Sequence, residues 1–159
     1  MLPIDPNGNV ALIEHRNSFG LLGGHVTQDE HRAHRPFDLL NLSHIIPTGR
    51  RETLEEAHVD FVPFLQRAKH LGIAAVEVLR FSGNKLLKTN ILSPVIYIET
   101  PRIKYPNNIL VTSIHDLPND LYPDAALALS RVKQLILKGP IKEIKPTYIK
   151  QPTTLRSGF

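Results

Sequence analysis

Glu52, Glu55 and Glu56 fall within five consecutive positions of RRETLEEAHVDF (50–61), directly after Arg50 and Arg51. On a helix they stand at i, i+3 and i+4, so all three carboxylates share one face within a turn. Like charges at this spacing cost about 0.2–0.5 kcal/mol per pair. A wet surface tolerates that cost, so a solvated charged face is the ordinary alternative. A hard divalent cation would reverse its sign, because Mg²⁺ and Mn²⁺ prefer carboxylate oxygen and keep waters that a phosphate can replace. Upstream, GLLGGHV (20–26) carries three glycines within five residues. Adjacent glycines let backbone amides or carbonyls approach a ligand with no side chain between. A turn is the commoner use of such a pair.

The elements that must hold these groups follow from patterning. NGNVALIEHR (7–16) opens on an Asn-Gly turn signal and continues as a strand, with Val10 and Leu12 on one face. Thr48 is an expected N-cap for a helix running to Val59, with Leu54, Ala57 and Phe61 turned to the core. Pro63 introduces a short helix, FLQRAKHLG, ending at Gly72. AAVEVLRFSGNKLL (74–87) reads as a strand and a Ser-Gly-Asn turn, and ILSPVIYIET (91–100) as a central strand. NILVTSI (108–114) is a further strand. LYPDAALALSRVKQLILKG (121–139) has helical spacing at Leu127, Leu129, Val132, Leu135 and Ile136, and Gly139 closes it. The segment 27–47 resists classification. Strands mixed with two or three helices imply an α/β or α+β sandwich.

Bulk properties bound the rest. A chain of 159 residues with 42% hydrophobic content suits one globular domain. It lacks an apolar run of membrane-spanning length, and MLPIDPNGNV lacks the basic-then-apolar order of a signal peptide. No membrane partner is expected. There is no cysteine, which excludes disulfides and thiolate metal sites and suits a cytoplasmic location. The net charge is +4, yet residues 1–137 hold 14 Lys/Arg and 14 Asp/Glu. The excess lies in residues 138–159, where five basic residues face Glu143 alone. We therefore divide the chain into a domain over 1–139 and a basic tail over 140–159, punctuated by Pro140, Pro146 and Pro152 and read as an extended arm. Such a tail could reach RNA or another anionic partner, or wrap a neighbour in a homodimer.

Taken together, the glycines and glutamates resemble the Nudix signature, G-x5-E-x7-R-E-U-x-E-E-x-G-U, where U is a bulky apolar residue. Gly24 and Glu30 match its first half. Arg51, Glu52, Glu55, Glu56 and Val59 match its second. VALIEHR, Phe19, LLGGHV and SIHDLPNDLYPDAALALSRV also resemble the family's flanking segments, so the likeness spans about 7–137. Four departures stand out. Twenty residues separate Glu30 from Arg51 where the signature has seven, an insertion of 13 placed within 31–47. His58 replaces the closing glycine, Thr53 an apolar residue and Leu22 the usual proline.

The resemblance implies a Nudix-type α/β/α sandwich with a mixed central sheet. It implies a Mg²⁺-dependent pyrophosphohydrolase, with Mn²⁺ as a substitute ion, cleaving a diphosphate linkage in a nucleotide-type substrate. Carried over residue by residue, Glu52, Glu55 and Glu56 and the Gly24 carbonyl are metal ligands. Glu52 could also activate water. Arg51 braces the glutamates and Glu30 supports the site. Glu99 is a further candidate ligand, with Glu77 behind it. His25 and His58 are candidate phosphate contacts, and Phe19, Phe37 and Tyr97 candidate base stackers. His31 and His34 read better as surface histidines than as a zinc pair. Two alternatives come from other classes: a Nudix-fold binding module with little catalysis, and an RNA-interaction domain that uses the basic tail.

Overall fold

The computed structural model describes residues 1–141 and 147–150; the remaining parts of the basic tail lie outside the described residues. The chain forms β1 (Leu2–Ile4), β2 (Asn9–His15), β3 (Ser18–Gly20), α1 (Gln28–Arg32), α2 (Leu42–Ala57), β4 (Ala68–Ser82), β5 (Lys85–Glu99), β6 (Ile109–Ser113), α3 (Pro123–Leu137) and β7 (Thr147–Lys150), with a 3-10 turn at Val62–Arg67 before β4. The strands make one mixed sheet in the order β3-β2-β1-β5-β4-β7, and β6 pairs with β2. β1 runs parallel to β5 (Leu2 opposite Tyr97), and β7 runs parallel to β4. β2 is antiparallel to β1, β3 and β6.

Alternation along the central strands splits the apolar residues into two cores. Val10, Leu12, Val95 and Tyr97 join Ala128, Leu129 and Val132 of α3 on one face. Ala11, Ile96 and Ile98 join Ile45, Ala57 and Phe61 from α2 and its C-terminal flank on the other. The sheet is therefore sandwiched between two helical layers. Buried Ala125, Ala128, Leu129 and Val132 follow the i, i+3, i+4, i+7 spacing of a helix with one apolar face. Pro123 opens α3, where its missing N–H costs nothing, and Gly139 follows it with φ +113.

Several expectations need correction. α2 begins at Leu42, not Thr48, because Asn41 supplies the cap by accepting from the Ser43 N–H at 3.0 Å. Pro47 then lies inside the helix. It sits early enough to forfeit only the bond to the Ser43 carbonyl, so the helix continues through it. Leu54 is 40% exposed. Thr53 takes the core position instead, fully buried, its hydroxyl satisfied by the Arg50 carbonyl at 3.1 Å. The helix expected over FLQRAKHLG is a short 3-10 helix, Val62–Arg67, that passes into β4 at Ala68. β1 and β3, three residues each, were not anticipated. In the tail, Ile141 joins the α3-side core and 147–150 extend the sheet.

Candidate metal and phosphate site

The site is built where the glycine loop after β3 lies against α2. A methyl group placed on Gly24 would sit 2.3–2.5 Å from the Glu52 carboxylate. A side chain there would have to push the Glu52 carboxylate aside, so the glycine leaves that carboxylate lying directly against the loop. The neighbouring Gly23 N–H donates to Glu56 Oε2 at 2.9 Å. Leu22, which holds the position of the expected proline, is fully buried and anchors the loop in the α2-side core. The Met1 nitrogen donates to its carbonyl.

Arg51 organises the carboxylates. It donates to Glu30 Oε1 at 2.8 Å, to Glu52 Oε1 at 2.5 Å and to the His25 carbonyl at 2.8 Å, and its Nη1 lies 3.6 Å from Glu55. The Thr48 hydroxyl donates to Glu30 Oε2 at 2.7 Å. Glu30 also closes a capping box with Thr27 at the start of α1. These bonds, with Arg51 foremost, pull the Glu30 carboxyl down to about 2, and Glu30 in turn raises the Arg51 guanidinium. Glu56 moves the other way. Burial raises its pKa, the Gly23 N–H opposes that rise, and the charges of Glu52 and Glu55 add to it. A carboxylate disfavoured in this way is one that a cation would relieve.

The intervening residues do not part Glu30 from Arg51. Residues 31–47 fold back as the end of α1, a loop and the first turns of α2. Their rings pack together: His31 on Phe37 at 5.0 Å, His34 on His44 at 3.9 Å and Phe37 against His44 at 5.9 Å. Phe37, Leu39 and Leu42 reach the α2-side core, and His70 on β4 bonds the Leu39 carbonyl at 2.7 Å. At the other end of α2, His58 adopts the left-handed conformation that the missing glycine would supply, with φ 54 and ψ 30. The geometry of the turn survives and its strain falls on one residue. The Asn108 side chain caps the Glu56 carbonyl at 3.1 Å.

Gly24, Glu30, Arg51, Glu52, Glu55 and Glu56 are thus brought together. Glu99 is not among them. It lines a separate cavity of about 510 Å³ with Asp5, Arg67 and Thr100. Glu77 is exposed and paired with Lys88 at 2.7 Å. Tyr97 is buried in the α3-side core and Phe19 packs against it, while Phe37 belongs to the histidine cluster. His25 and His58 are both exposed beside the loop and the helix end.

Asp124, in the first turn of α3, was missed. Its charge and that of Glu56 both act on the buried Met1 nitrogen, and Ser93 on β5 donates to Asp124 Oδ2 at 2.8 Å. The available signal was the Pro-Asp opening of the helix. No group of three or more His, Asp or Glu side chains is already converged on a metal-binding centre among the described residues. Arg51 and the Gly23 amide engage the carboxylate oxygens that would have to turn. The donors present nevertheless suit a hard divalent cation, being carboxylates with no sulfur among them. Among the described residues, no helix is long and apolar enough to cross a membrane. Comparison with protein-family models and with curated proteins gives no match.

Proposed function

We propose that the protein is a Mg²⁺-dependent pyrophosphohydrolase of Nudix type, acting on a diphosphate linkage in a nucleotide-type substrate. The observation that carries this reading is the close approach of the Gly23–Gly24 loop to Glu52 and Glu56: a Cβ at Gly24 would displace the Glu52 carboxylate, and the Gly23 N–H donates to Glu56. A solvated charged face needs no such cradle. Glu52, Glu55, Glu56 and the Gly24 carbonyl would hold Mg²⁺ or Mn²⁺, which supplies Lewis-acid polarisation of phosphoryl oxygen.

The chain's own residues do the positioning. Arg51 fixes the orientation of Glu52 and, through its bonds to Glu30 and the His25 carbonyl, ties the glycine loop to α2. Glu30 and Thr48 keep that guanidinium in place. These bonds fix how the loop and α2 stand to one another, and Glu52 and Glu56 need only turn from Arg51 and the Gly23 N–H to take up a cation.

Calorimetric titration with Mn²⁺ alone tests the donor set without reference to substrate. Wild type is expected to bind, and the Glu52→Gln/Glu56→Gln double variant to lose binding while keeping its far-ultraviolet circular dichroism. Equal Mn²⁺ binding by both proteins contradicts the assignment.

A further inference from the structure

β5 is 15 residues long, but β1 covers its outer edge only at Tyr97–Glu99. Along Lys85–Ile96 that edge pairs with no strand among the described residues, while β4 occupies the inner edge throughout. The hairpin that β4 and β5 form also exposes large apolar side chains: Phe81 (70%), Leu86 (54%), Leu87 (49%) and Leu92 (45%). An open edge beside apolar side chains is a template for a further strand.

Backbone geometry states which groups are free. The two-residue turn Gly83–Asn84, with φ +61 at Gly83, joins Ser82 to Lys85. In such a hairpin the residues flanking the turn exchange both backbone bonds. Alternation then directs the N–H and C=O of Leu86, Lys88, Asn90 and Leu92 outward. Pro94 falls at the next outward position, where a missing N–H breaks no bond to β4.

The free stretch, LLKTNIL (86–92), has near-palindromic chemistry. We propose that two copies of the chain join antiparallel along this edge, about a two-fold axis at Thr89. Leu86 then faces Leu92 of the second copy, Leu87 faces Ile91 and Lys88 faces Asn90. Outward backbone groups meet outward backbone groups, and the same patch serves both copies, as a two-fold interface requires. The two adjacent registers fail on chemistry. An axis at Lys88 opposes two lysines, and an axis at Asn90 sets Leu86 against Pro94 and Lys88 against Leu92.

Charge agrees with this choice. Lys88 is already paired with Glu77 of its own hairpin at 2.7 Å. Lys85 of the second copy comes opposite Ser93, whose hydroxyl donates to Asp124 at the acidic end of α3. The pairing does not depend on the hydrolase reading.

Light scattering on the full chain after size exclusion tests the surface. Wild type is expected at twice the chain mass of 17.9 kDa. Leu86→Lys/Leu92→Lys sets lysine against lysine and is expected at the single mass. Leu86→Lys/Leu92→Glu sets lysine against glutamate in this register alone and is expected to restore the dimer. Asn90→Pro removes an outward N–H without breaking a bond to β4 and is expected to be monomeric, with circular dichroism unchanged. A monomeric wild type, a dimeric Lys/Lys variant or a Lys/Glu variant that stays monomeric each overturns the proposal.

Discussion

Glu56 carries opposing demands. Burial and its glutamate neighbours disfavour its charge, whereas the Gly23 amide supports it. Glutamine keeps an acceptor for that amide and removes the charge. We therefore expect Glu56→Gln to lower hydrolysis at least about 100-fold, as loss of a charge-stabilising group does. Its melting temperature should stay at or above that of wild type. A large fall in melting temperature would show that Glu56 is structural. Gly24→Ala tests the cradle. Its backbone is not in the left-handed region, so the methyl acts only by pushing on Glu52. Displacement on this scale is expected to cost about 100-fold in rate, read as kcat with circular dichroism unchanged. Glu30 has a different signature. Its folded pKa of about 2 lies below the ordinary 4.5, so its contribution to stability is complete above 4.5 and is lost as pH falls through 2. The stability difference between wild type and Glu30→Gln should therefore shrink between those values in denaturant titrations. A difference independent of pH contradicts the Arg51 pairing.

At the scale of the element, α2 was legible in its second half and not in its first. The REUxEE spacing placed Glu52, Glu55 and Glu56 because a helix fixes which positions share a face. The start at Leu42 was hidden, because Pro47 and Thr48 together imitate a boundary and the true cap, Asn41, lies in a stretch without clear periodicity. Thr53 and Leu54 exchanged roles for a similar reason. A threonine can bond its own helix carbonyl and be buried without penalty, which hydrophobicity alone does not reveal. At the helix end, His58 stands in the left-handed region that glycine occupies freely. His58→Gly is expected to raise unfolding free energy by about 1 kcal/mol, measured by urea denaturation. Unchanged or lower stability would mean that the imidazole makes up for the strain.

For the whole molecule, the long strands and α3 were readable because alternation and helical spacing persist over many residues. β1 and β7 were not. Each is three or four residues long and joins the sheet through distant parallel partners, a register that no local pattern encodes. Glu99 was misplaced by the same limit: its position at a strand end was legible, but the cavity it lines depends on where Asp5 and Arg67 fold to. The union of Glu30 with Arg51 across 20 residues was likewise legible only through the resemblance, and the packing of 31–47 makes it geometrically sound. These parts together predict catalysis as well as binding. The most direct measurement is release of phosphate or mononucleotide from nucleoside triphosphates, dinucleoside polyphosphates, nucleotide sugars and RNA 5′ ends. The predicted result is Mg²⁺-dependent release from at least one of them, abolished by chelator and by Glu56→Gln. Folded wild-type protein that binds such a substrate with Mg²⁺ yet releases nothing from any of them would contradict the account and leave a binding module.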